Sequence, residues 1–84
     1  MARYSVLLLP DAERGGYTVE VPSLPEVITE GDSREEAPAN ARDAIGLLLE
    51  DLAADGDAVP VELARPELVE VEVEVPRSSV TLTA

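Results

Sequence analysis

Three glutamates at alternate positions, Glu70, Glu72 and Glu74, form the most regular row of ionisable side chains in the sequence. On an extended backbone they share one face and repeat about 6.8 Å apart, too far for two of them to hold one metal ion easily. Two readings follow. One is a solvated strand face whose charge discourages edge-to-edge aggregation; the other is an acidic ledge for the Arg and Lys groups of a basic partner. Glu20 and Glu26 extend that ledge if they share its face. A second constellation, Gly31-Asp32-Ser33 with Glu36, has the spacing of a capping box. It reads as a strand leading into a helix, with Ser33 as N-cap, and not as a catalytic site. Pro38 follows closely enough to remove a hydrogen bond early in that helix and to kink it.

Composition narrows the chemistry further. The chain has no His and no Cys, which removes imidazole bases, thiol nucleophiles, disulfides and nearly all zinc chemistry. No catalytic residue, metal site or cofactor-binding site is therefore expected. Eighteen acidic side chains against six basic ones give a net charge of −12, a surface that repels phosphate backbones and attracts basic partners quickly. Tyr4 and Tyr17 are the only aromatic residues, too few for stacking on single-stranded nucleic acid. No segment has the length of a signal peptide or a membrane span. The expectation is a cytoplasmic protein that binds neither nucleic acid directly nor membrane.

The elements that must carry these residues are legible from their periods. Tyr4–Leu9 is apolar on both parities from Val6 onward, as in a strand covered on both faces. Pro10–Gly16 is a turn-rich link, and Tyr17–Val21 then alternates cleanly, which makes a hairpin. Pro22–Pro25 breaks the chain before a short third strand, Glu26–Gly31. A helix from about Arg34 to Ala54 carries Ala37, Ala41, Ala44, Ile45, Leu48 and Leu52 at spacings of three and four, and Gly56 stops it. Leu68–Pro76 alternates strictly, with Val69, Val71, Val73 and Val75 opposite the three glutamates. It reads as a fourth strand. A right-handed crossover places it parallel to the first strand, in the sheet order 3-2-1-4.

One helix covers only one face of such a sheet. Leu7 and Leu9, or Val6 and Leu8 on the other parity, are left for a second copy of the chain to cover, which would also use the surplus of Leu47 or Leu49 beside the helix stripe. Leu7, Leu9, Leu47 and Leu49 are the interface candidates. Val80 and Leu82 alternate in the tail and are candidates for the same interface. The organisation expected is one domain over residues 1–76, with a tail over 77–84 that adds an extra or exchanged strand.

The string Gly15 to Ile45 resembles the HicB-like antitoxin family. The resemblance is carried by Gly15-Gly16-Tyr17, the Pro-x-Leu-Pro turn, Thr29 before Gly31-Asp32-Ser33, Glu35-Glu36-Ala37, Asn40-Ala41 and Ala44-Ile45. Tyr4–Leu9, Asp55-Gly56 and Pro60 fit as well, whereas Glu26-Val27 and Pro38 depart from the usual pattern. The resemblance implies an α+β, β-β-β-α-β truncated ribonuclease-H-like fold, a small mixed sheet with one helix on one face. It also implies a non-enzymatic module that neutralises a small basic RNA-cleaving HicA-like toxin by docking on it. Ribonuclease-H chemistry needs a carboxylate in the middle of the first strand, and Tyr4–Leu9 has none. Nothing after Val75 has the length of a DNA-binding module, so autorepression is not expected. The competing reading is an orphan homo-oligomeric scaffold of the same fold with an unrelated partner or ligand.

Overall fold

The computed structural model describes residues 1–76. Three short strands, β1 (Leu7–Pro10), β2 (Tyr17–Glu20) and β3 (Ile28–Gly31), precede one helix, α1 (Glu36–Ala54). The strands form an antiparallel sheet in the order β1-β2-β3. Leu7 lies opposite Glu20, which lies opposite Ile28; Leu9 lies opposite Thr18, which lies opposite Glu30. The class is α+β.

The β1–β2 turn is built from Asp11 and two glycines. One Asp11 carboxylate oxygen accepts from the Glu13 and Arg14 backbone N–H groups, both at 3.0 Å. Gly15 and Gly16 take φ of +79° and +76°, where a side chain is strained. The backbone bonds to Asp11 hold its carboxyl below the usual value of 3.8.

Alternation then sorts the sheet into two faces. Val19 and Val21 are 0% and 1% exposed and pack toward the helix. The Pro22–Pro25 break does more than turn the chain. Two successive turns, Leu24 N–H to Val21 carbonyl and Val27 N–H to Leu24 carbonyl, both 2.9 Å, drive Leu24 into the core against Val21, Val27 and Ile45. Leu24 is among the largest fully buried side chains.

Regular helix begins at Glu36, two residues after Arg34, and Pro38 accounts for the difference. The Ser33 carbonyl accepts the first helical bond, from the Ala37 N–H, and Pro38, lacking an N–H, omits the next one, to the Arg34 carbonyl. From Glu36 the helix is continuous to Ala54. The capping contacts sit one turn earlier. Ser33 Oγ accepts from the Glu36 N–H at 3.0 Å, and its carbonyl accepts from the Ala37 N–H at 3.0 Å. Glu36 reaches back to the Asp32 N–H at 3.4 Å. At the other end the Gly56 and Asp57 N–H groups donate to the Ala53 and Leu52 carbonyls, with Gly56 at φ +72°. That is a Schellman stop.

Ala37, Ala41 and Ile45 are buried on the helix stripe, and Ala44, Leu48 and Leu49 pack beside them. Alanines let the helix approach the sheet closely. A Cβ on Gly31 would lie 2.5 Å from the Ala37 Cα, so β3 and the helix start touch backbone to backbone.

The expected fourth strand is not part of the sheet. Leu68–Pro76 pairs with nothing among the described residues, and β1 is an edge strand instead of a central one. The sheet is consequently antiparallel throughout, not mixed. Upstream, Pro60 and Glu62 are tied to Tyr4 and Ser5 before β1 begins; beyond that tie residues 63–76 are exposed throughout, so no buried side chain holds the segment to the sheet. The tail interface candidates Val80 and Leu82 lie outside the described residues.

Candidate functional site

Two surfaces stand out once the elements are in place. The first is the outer face of the sheet, opposite the helix. Strand register puts Leu7, Glu20 and Ile28 in one row and Leu9, Thr18 and Glu30 in the next. Leu7 and Leu9 are 37% and 41% exposed, and Ile28 is 72% exposed. Glu20 and Glu30 are exposed beside them. Among the described residues no element covers this face. It presents three aliphatic side chains interleaved with carboxylates, a pattern that suits a partner with an apolar patch and surrounding cations.

The second surface is a groove of about 770 Å³ beside the start of β1. Val6, Ile45 and Leu49 give it an apolar wall, and Arg3, Arg42 and Arg65 line it with cations. Glu62 anchors its rim. One Glu62 oxygen accepts from the Ser5 N–H at 2.8 Å and from the Ser23 hydroxyl at 3.2 Å; the other accepts from the Ser5 hydroxyl at 2.7 Å. The Ser5 backbone bond leads in holding this carboxyl below its usual 4.5, followed by the Ser5 hydroxyl, with smaller help from Ser23 and Arg65. Tyr4 completes the tie by donating its hydroxyl to the Pro60 carbonyl at 2.6 Å. A single carboxylate thus joins the start of β1, the β2–β3 turn and the segment after the helix.

The predicted interface residues separate into three groups. Glu20 lies on the outer face, and Glu26 is exposed in the turn before β3. Glu70, Glu72 and Glu74 stand exposed on the unpaired Leu68–Pro76 segment. Three separate elements carry them. Leu7 and Leu9 share the outer face; Leu47 is 65% exposed on the helix, while Leu49 is half-buried and lines the groove. Ser5, Ser23 and Glu62 were not singled out from sequence. A lone glutamate in the non-periodic Ala58–Pro66 stretch gives no local signal, and only the spacing Pro60-x-Glu62 after the helix stop marks the place.

Among the described residues no three His, Cys, Asp or Glu side chains converge on a metal-sized site. Nor is any described helix long and apolar enough to cross a membrane.

Residues 4–78 match the sequence profile of the HicB-like antitoxin of bacterial toxin–antitoxin systems. A protein from Photorhabdus laumondii subsp. laumondii named Antitoxin HicB 1 is 44% identical over 59 residues, 70% of this chain and 37% of its own length. The chain therefore spans little more than a third of that relative. The UPF0150 protein Ta0767 of Thermoplasma acidophilum is 36% identical over 58 residues, 69% of this chain and 83% of its own length. No solved structure matches the chain.

Proposed function

Because the chain belongs to the HicB-like antitoxin family, we propose that it is a non-enzymatic antitoxin module that neutralises a small, basic, RNA-cleaving HicA-like toxin by docking on it. The observation that carries this reading is the outer face of the sheet: Leu7, Leu9 and Ile28 stand bare in rows with Glu20 and Glu30. With a net charge of −12, encounter with a basic protein is electrostatically steered and the aliphatic side chains supply the area to hold it. Glu26 and the Glu70-Glu72-Glu74 row widen the acidic approach. The site of action is the cytoplasm, and the fold is read as a truncated ribonuclease-H-like one put to binding use.

Titration of the purified chain into an RNA-cleavage reaction of a HicA-like toxin tests this. Cleavage should fall in proportion to added chain and stop near equimolar amounts. Glu20→Lys with Glu30→Lys should weaken inhibition at least tenfold, with a steeper loss at low salt. Cleavage that continues in the presence of a large excess of chain overturns the reading.

A second reading is favoured by the bare Leu68–Pro76 segment: a homo-oligomeric scaffold with a partner or ligand unrelated to toxins. Self-association belongs to both readings. A stable oligomer that leaves toxin activity untouched selects the second.

A further inference from the structure

We infer that the Leu68–Val75 segment is an exchanged strand, which pairs with the open edge of β1 in a second copy of the chain and receives that copy's segment in return. This deepens the self-association reading and rests on it; toxin docking is a separate matter.

Four observations carry it. First, the segment has the sequence of a strand and none of its burial. Leu68 is 92% exposed and the four valines are 59–80% exposed, although a row of valines at period two is a face built to be covered. Second, β1 is an edge. Among the described residues it pairs with β2 on one side only, and it is short of the blunting devices edges usually carry, apart from Pro10 at its end. Third, the arm is long enough. Its eight residues span about 26 Å, more than the roughly 13 Å of the Leu7–Pro10 edge.

Fourth, the segment does not reach its own edge: residues 63–76 are exposed throughout and pair with nothing in their own molecule among the described residues. Glu62 is tied to Ser5, and Arg65 lines the groove together with Met1, Ala2 and Arg3. Residues 62–65 thus lie at the N-terminal end of β1. Pro66 follows within the link. A second copy offers the same edge, and reciprocal exchange closes the pair around a two-fold axis.

The faces also match. The groove beside the edge has Val6, Ile45 and Leu49 in its wall. Seating Val69, Val71 and Val73 there directs Glu70, Glu72 and Glu74 to the outer face, beside Leu7 and Leu9 and in water. The opposite seating would bury three carboxylates against aliphatic side chains, which is costly.

The absence of cysteine gives a clean cross-linking test. Chains carrying Leu7→Cys or Leu9→Cys are mixed with chains carrying Glu70→Cys, Glu72→Cys or Glu74→Cys, unfolded and refolded together, and oxidised mildly. Neighbouring strands lie about 4.8 Å apart, within disulfide range. The expected result is a mixed disulfide dimer between the two kinds of chain, from at least one pair. Light scattering should give twice the 8.9 kDa chain mass for the wild type, and the single-chain mass for Val71→Pro with Val73→Pro at unchanged helical circular dichroism.

Wild type that scatters as a single chain overturns both self-association and exchange. A dimer that survives the two prolines and forms no mixed disulfide overturns exchange alone. So does a chain carrying both Leu7→Cys and Glu72→Cys that closes on itself at high dilution, because the arm then folds back on its own edge.

Discussion

In β2 and the residue after it, Val19 and Val21 alternate with Thr18 and Glu20, and the two valines are 0% and 1% exposed. In Leu68–Val75 the valines alternate with glutamates just as regularly, yet each is at least 59% exposed. Both stretches declare an apolar face. Only β2 has neighbours on both sides to hold it flat, and a helix stripe of Ala37, Ala41 and Ile45 above it. Alternation states which side of a strand avoids water. It does not state which element, or which molecule, supplies the cover.

The comparison can be tested by removing apolar groups from each region in the dilute chain. Leu24→Ala should be the most damaging change, since Leu24 is fully buried between Val21, Val27 and Ile45; a loss of about 2–5 kcal/mol is expected by urea unfolding. Gly31→Ala should come next at about 1–3 kcal/mol, because the added Cβ meets Ala37 backbone that cannot move without displacing the helix. If instead it is neutral in thermal melts, the backbone contact of β3 with the helix start is looser than described.

Ser33→Ala removes the hydroxyl that accepts from the Glu36 N–H and should cost about 1 kcal/mol in the same unfolding experiment. Smaller effects lie at the rim. The fold holds the Glu62 and Asp11 carboxyls below their ordinary 4.5 and 3.8, so both contribute stability that is complete above those values. That contribution disappears as pH falls through the lower folded values. Glu62→Gln should remove its share of this acid-side slope and leave the neutral-pH plateau flat, as read from melting temperature against pH. A slope unchanged by the substitution would assign the pH dependence to Asp11 and other carboxylates.

The smallest change is expected from Val71→Ala, below about 0.5 kcal/mol in the dilute chain, despite its place in the most regular strand pattern of the sequence. A loss comparable to that of Leu24→Ala under those conditions would mean that the arm is covered by its own chain.

Much of the body was legible because its signals are local. The hairpin follows from Gly15 and Gly16 between two apolar runs, the helix from its spacing of three and four, and its end from Gly56. Ser33 was legible as the cap, and Pro38 as the residue that takes one bond out of the first turn, which is why regular helix starts at Glu36 and not at Arg34. The Pro22–Pro25 stretch announced a turn, but nothing in it announced that Leu24 fills the core. The Ser5–Ser23–Glu62 tie was invisible for a related reason: its three members are separated by 18 and 39 positions, and each is unremarkable alone. The outer face was half legible, since Leu7 and Leu9 are surplus to a single helix, whereas Ile28 and Glu30 join them only through strand register.

What the residues alone determined are the features set by the backbone within a few positions: turn glycines, caps, helix period, strand parity and the acidic charge that biases every encounter. The tertiary structure decided which apolar faces meet, because burial depends on elements far apart in the chain reaching one another. Glu62 pins the chain beside the N-terminal end of β1, yet Leu68–Val75 buries nothing beyond it, so a strand complete in its pattern remains without a sheet among the described residues.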